Sequence, residues 1–113
     1  MRGVTLEALT RQSSALRVVR KSDVRCGDRI IIKTANSIYS IQMISSKHCL
    51  VSGGWFDKKG ISPAATHVAG CTWGGTAIKV DTLAACGLCI EFGNRVRTTS
   101  VKSIFVFPLG SGN

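Results

Sequence analysis

The chain has no apolar run long enough to cross a bilayer as a helix. Its apolar stretches, such as Ile30 to Ile32 and Ile104 to Pro108, fall far short of the ~20 residues required. Residues 1–20 also lack the apolar segment of a secretory signal, because Arg2, Arg11, Arg17 and Arg20 punctuate them. The expectation is a cytoplasmic protein, of bacterial type, with no membrane partner. Acidic residues are scarce, six against fifteen Lys and Arg, and His occurs only twice. A hydrolytic site needs a nucleophile, a base and an orienting group brought together. The six acids and two His are scattered along the chain, and Asp57, Asp81 and Glu91 fall beside turns or on expected solvent faces. Gly53-Gly54-Trp55 and Trp73-Gly74-Gly75 lack the strand–loop–helix setting of a phosphate-binding glycine loop. The chain therefore reads as non-enzymatic, with no cofactor.

Proline is rare, with two residues, and aromatics are 6% of the chain, but glycine is plentiful at twelve. With 113 residues, 44% of them hydrophobic, there is room for one domain with one modest core and many tight turns. Residues 4–20 hold the one plausible helix: Thr5 is a capping candidate, and Leu6, Leu9, Ser13 and Leu16 recur at helical spacing. A short docking helix and a partly ordered basic arm are both consistent with it.

From Val24 onward the pattern turns to strand. A Gly27-Asp28 turn feeds the β-branched run Ile30-Ile31-Ile32. Ile38 to Ile44 alternates, with Tyr39, Ile41 and Met43 on one face and Ser40 and Gln42 on the other, so these two segments predict a hairpin with one buried face. Cys49-Leu50-Val51 is a short strand, Asp57 to Gly60 a turn with a basic tip, and Thr76 to Val80 a further strand. Residues 61–72 are ambiguous, and Ser62 could cap one helical turn there. Leu88 to Phe92, Gly93-Asn94 and Arg95 to Thr98 predict a hairpin with a type II′ turn, in which Gly93 supplies the positive φ. Val101 to Phe107 is the last strand.

Six or seven short strands, with no room for parallel crossovers, predict a mainly all-β fold: a small antiparallel barrel or sandwich, with an SH3-like barrel favoured and a short N-terminal helix as an option. The expected organisation is a basic helix or arm over 1–22, a single β domain over 23–108 and a flexible tail over 109–113.

The order of Thr34-Ala35-Asn36-Ser37-Ile38-Tyr39, Leu50-Val51-Ser52-Gly53-Gly54, Trp73-Gly74-Gly75, Leu88-Cys89-Ile90-Glu91-Phe92 and Thr98-Thr99-Ser100-Val101-Lys102-Ser103-Ile104 resembles a class of short uncharacterised bacterial β-domain proteins. The resemblance covers roughly residues 28–106. It implies one compact domain and carries no site residues.

The formal charge is +9, and it is uneven. Between residues 11 and 33, Arg11, Arg17, Arg20, Lys21, Arg25, Arg29 and Lys33 face only Asp23 and Asp28, a net +5. Such an excess raises affinity for polyanions. Weak, electrostatic, sequence-tolerant nucleic-acid binding is the leading specific expectation. Its candidate residues are Arg11, Arg17, Arg20, Lys21 and Arg25, with Trp55 and Trp73 as surfaces on which bases stack. The Trp residues have a structural reading too, packing over corners of the fold. A second expectation is a protein-interaction or self-assembly module, pairing with itself as a dimer or with an acidic protein, through open strand edges or the N-terminal segment.

The third expectation concerns cysteine. The count is five, an odd number that argues against a disulfide framework. Cys86-Gly87-Leu88-Cys89 is half a zinc-site pattern, and His67 and Cys71 are a candidate second half if residues 64–71 form a helical turn. The structural alternative is that these thiols are small apolar residues packed at a strand start.

Overall fold

A computed structural model describes residues 16–45, 47–73 and 77–109. In chain order the elements are β1 (Val18–Arg20), a 3₁₀ turn (Lys21–Asp23), β2 (Arg29–Thr34), β3 (Ile38–Met43), β4 (Cys49–Gly53), α1 (Gly54–Lys58), β5 (Ala64–Thr66), β6 (Val68–Thr72), β7 (Thr82–Ala85), β8 (Cys89–Phe92) and β9 (Val101–Phe107). The protein is all-β and antiparallel throughout.

A five-stranded sheet in the order β5-β4-β3-β2-β9 forms the body of the fold, with two-stranded ladders β1-β7 and β6-β8 beside it. Among the described residues these ladders do not join into a closed barrel. The meander β2 to β5 follows from period-two patterning. Ile30, Ile32 and Thr34 of β2 and Tyr39, Ile41 and Met43 of β3 are buried, while Arg29, Lys33, Ile38 and Gln42 are exposed. The β2–β3 turn is tied by Thr34, whose hydroxyl oxygen accepts the Ser37 N–H at 3.1 Å and whose own N–H donates to the Ser37 carbonyl. β9 then covers the other edge of β2, with Ile104 opposite Ile32 and Val106 opposite Ile30. Asp28 ties the start of β2 to the end of β9. Its buried carboxylate accepts the Arg25 N–H at 2.8 Å and the Leu109 N–H at 3.0 Å.

All three ladders send side chains into one core. Val19 and Leu83 come from β1 and β7, Ile90 and Phe92 from β8, and Ile30, Ile41, Val51 and Ile104 from the large sheet. Phe56, Phe92 and Tyr39 form its aromatic centre, with Phe56 edge-on to Phe92 at 5.2 Å and to Tyr39 at 6.2 Å.

Several sequence expectations are corrected. Residues 18–20 form a strand paired with β7 rather than the end of a helix or arm, because Val18 and Val19 suit a pleated ladder better than a helix. Residues 1–15, where the rest of that expectation falls, lie outside the described residues, as do residues 110–113 of the expected tail. Residues 61–72 contain no helical turn but β5 and β6. The expected strand over 76–80 is reduced, among its described residues, to a single bridge at Lys79, and β7 lies just after it. Asp57 and Lys58 belong to the helical turn α1.

The turn at Gly93-Asn94 is also different. Arg95 N–H donates to the Phe92 carbonyl at 2.9 Å and Phe92 N–H to the Val96 carbonyl at 2.8 Å. Arg95, with φ 68°, takes the left-handed position, so the loop has three residues and a bulge instead of two residues in a II′ turn. The chain leaving this turn meets β8 at the bridge between Glu91 and Arg97, and the Thr98 N–H donates to the Ile90 carbonyl at 2.9 Å. Among the described residues no helix is long and apolar enough to cross a membrane.

Candidate functional site

The glycines of Gly53-Gly54-Trp55 have a specific task. β4 pairs with β3 up to Gly53 opposite Tyr39. There the chain must turn over the Tyr39 side chain, with φ 97° at Gly53 and 46° at Gly54. A Cβ on Gly53 would strike the Ile38 carbonyl oxygen, and one on Gly54 the Tyr39 ring. The turn drives Phe56 into the core and leaves Trp55 exposed, edge-on to Phe56 at 5.4 Å. Lys59, one helical turn on, donates its N–H to the Trp55 carbonyl and holds its ammonium 5.9 Å from the indole centroid.

Trp73 reaches the surface by another route. Cys71 and Lys79 exchange backbone hydrogen bonds of 3.2 and 2.7 Å, and Gly70 lies so close to Lys79 that a Cβ there would meet its carbonyl oxygen. This bridge brings Lys79 beside the end of β6, where its ammonium stands 5.7 Å from the Trp73 ring centroid. Trp73 is 69% exposed. Trp73 is therefore a surface ring with a lysine beside it, whereas Trp55, 37% exposed, rests on Phe56 at the Gly53-Gly54 turn with Lys59 beside it.

Of the basic candidates, Arg17, Arg20 and Arg25 are exposed, Lys21 is half-buried, and Arg11 lies outside the described residues. The acids that might neutralise this surface are largely engaged with backbone. Asp23 accepts the Arg20 N–H at 2.9 Å, Asp57 accepts the Gly53 N–H at 3.0 Å, and Asp28 holds two N–H groups as described. Among the described residues, Glu91 is the carboxylate that pairs with a cation, Arg97, at 3.1 Å.

The four residues of the expected zinc site are not brought together. Among the described residues no three His, Cys, Asp or Glu side chains are grouped to hold a metal ion. The helical turn that would have aligned His67 with Cys71 is instead strand β6. His67 is exposed at its start and Cys71 is fully buried within it, donating weakly to the Thr82 carbonyl at 3.8 Å. Cys86 bonds to the Leu16 and Lys102 carbonyls, each at 3.5 Å. Burial pushes the Cys49 and Cys71 thiols up to about 11 from an ordinary 9.0, which makes them poor nucleophiles.

These raised values link pH to stability. Unfolded thiols lose their protons near 9 and the folded ones near 11, so between these limits unfolding releases protons. Stability contributed by the two thiols is complete below about pH 9 and is lost as the pH rises toward 11. Urea denaturation across this interval is expected to show a falling midpoint, with a shallower fall in a Cys49→Ala, Cys71→Ala variant. Equal slopes would contradict the assignment.

A cleft of about 350 Å³ brings together residues that sequence reasoning left scattered. Lys21, Met43, Lys47, His48, Cys49, His67, Val68 and Leu83 line it. Strand pairing explains the convergence. β4 and β5 pair with Cys49 opposite Thr66, so His48, just before Cys49, and His67, just after Thr66, flank the same end of the ladder. These are the only two His of the chain. The signal that would have found the pair is this register, which no local pattern in the sequence specifies.

Each rim residue is held in place. Ser45 Oγ accepts the N–H groups of Lys47 and His48, both at 3.2 Å, and lies 3.4 Å from His48 Nδ1. The Ser45–Nδ1 contact fixes the orientation of the His48 ring and leaves its Nε2 edge outside that contact. The His67 ring packs flat against Gly93, where a Cβ would overlap it, and the His67 carbonyl accepts the Gly93 N–H at 2.8 Å. Space for the ring, not a positive φ, is what position 93 requires. Lys21 Nζ donates to the Ala69 carbonyl at 3.3 Å.

No protein family, curated protein or solved structure matches this chain.

Proposed function

We propose that this protein is a non-enzymatic binding domain for nucleic acid, with weak, sequence-tolerant affinity for single strands. The observation that carries this reading is the pairing of each exposed indole with a lysine, Trp55 with Lys59 and Trp73 with Lys79. Such a pair sets a stacking surface for a base beside a positive charge for its phosphate. The surrounding surface supports it: exposed Arg17, Arg20, Arg25, Arg29 and Lys33 supply the diffuse positive field that attracts a polyanion.

Fluorescence anisotropy with a labelled oligothymidylate at low salt tests the reading. Binding is expected to weaken steeply as salt rises and to quench indole fluorescence. Trp73→Ala is expected to reduce affinity by about 1–3 kcal/mol, the usual value of one stacked base. Its stability should change by no more than about 0.5 kcal/mol, because the side chain is on the surface. Absence of binding at tens of micromolar protein, a concentration at which non-specific electrostatic complexes form, would sink the proposal. Light scattering of the free protein separates it from self-assembly, for which a dimer without oligonucleotide affinity is the signature.

A further inference from the structure

We infer that the cleft between His48 and His67 is a binding site for a small phosphate monoester carried on a compact apolar group. This inference does not depend on the nucleic-acid reading, since neither indole lines the cleft.

The lining divides by chemistry. Met43, Cys49, Val68 and Leu83 are buried and form an apolar floor. Lys47, His48 and His67 are exposed at the rim, and Lys21 is half-buried. Not one of the eight residues is acidic. A volume of about 350 Å³ falls in the usual range for small-molecule sites, which combine an apolar lining with a few placed polar groups. Two ammonium groups match the two negative charges of a phosphate monoester, and two imidazoles add directional N–H donors. The apolar floor has no use for a bare inorganic ion but does for an attached hydrocarbon or ring.

The donors are also pre-positioned, which reduces the cost of ordering them on binding. Ser45 orients the His48 ring through Nδ1, Gly93 makes room for the His67 ring, and the Ala69 carbonyl restrains the Lys21 ammonium. Cys49 contributes shape to the floor and no nucleophile, because its thiol stays protonated well above neutral pH. The cleft is a place to hold the ester, not to cleave it.

The test is NMR titration of the full-length protein with phenyl phosphate at constant ionic strength. Parallel titrations use phenol, benzoate and inorganic phosphate. Saturable shifts of the His48 and His67 ring signals and of the Met43 methyl are expected with phenyl phosphate. Each comparison compound should bind at least about tenfold more weakly, having lost a charge or the apolar group. His48→Gln and Lys47→Ala sit on exposed turn positions and are expected to fold normally and weaken binding about fivefold or more, the loss of one charge-assisted contact. Gly93→Ala supplies a check on positioning: it changes the identity of no lining residue but displaces the His67 ring, and should weaken binding with an unchanged fold by circular dichroism. The inference is overturned if the ring signals of the folded protein do not move, if phenol and phenyl phosphate bind equally, or if all three variants bind like the parent. Trp73→Ala should bind phenyl phosphate normally, so loss of oligonucleotide binding and loss of ester binding are separately visible.

Discussion

Phe56→Ala is expected to lower the unfolding free energy by about 3–5 kcal/mol, the usual cost of emptying a phenylalanine site in a core that cannot collapse around it. Phe56 is completely buried. Its ring lies edge-on to Phe92, Tyr39 and Trp55, at centroid distances of 5.2, 6.2 and 5.4 Å. Edge-to-face pairs contribute about 0.5–1.5 kcal/mol each beyond the area they bury. The three partners come from α1, β3 and β8, so no single element can shift to fill the space. Urea denaturation followed by circular dichroism measures the loss. A change below about 1 kcal/mol would mean that the aromatic centre is not rigid and that Phe56 is not locked between Phe92, Tyr39 and Trp55. Trp55 precedes Phe56 and rests on its ring, so the same variant should also broaden the Trp55 indole signal.

Gly53→Ala is expected to cost about 3 kcal/mol or more, although it adds one methyl group. Two effects combine. The backbone at Gly53, φ 97° and ψ 177°, lies in a region that essentially only glycine occupies, so a residue with a Cβ adopts it at a cost of about 1–3 kcal/mol. The new Cβ would also run into the Ile38 carbonyl oxygen, a backbone atom of β3 whose residue pairs with Lys33 of β2 and cannot rotate away. Gly60 is a milder case. Its φ is 69° and nothing lies within 4 Å of where its Cβ would be, so Gly60→Ala should cost only about 1–2 kcal/mol. Equal losses for the two variants, measured by denaturant titration, would overturn the larger cost assigned to Gly53. Loss of the Gly53 turn would also release Trp55 and Lys59, so oligonucleotide affinity should fall with stability in Gly53→Ala but not in Gly60→Ala.

The legible part of this protein is the part with strong local pattern. Alternation in Ile38 to Met43 and the β-branched run Ile30 to Ile32 state which side chains go inside, and burial follows them residue by residue. The Leu88, Ile90, Phe92 face was readable for the same reason, and all three are buried. Errors gathered where pattern is short or mixed. Val18 and Val19 follow a segment with helical spacing, but their ladder partners, Ala85 and Ala84, lie more than sixty residues away. Residues 64–72 are small and weakly polar, a composition that suits several local structures, and pairing with β4 and β8 is what makes them strands. At Gly93 the reading of a turn was sound but its reason was not. Glycine there yields space to His67, at the junction of β5 and β6.

Composition and period-two alternation were therefore sufficient for the all-β class, the antiparallel arrangement and an excess of positive charge. Each depends on residues close in sequence or on simple sums over the chain. Tertiary structure alone decided what that charge and those aromatics face. It put Lys79 beside Trp73, tied the Asp28 carboxylate to the distant Leu109 N–H, and set His48 next to His67 at one end of a ladder. The physical reason is register. A slip of one residue between β4 and β5 would turn each side chain to the opposite face, and nothing within either short strand selects the pairing that makes the cleft.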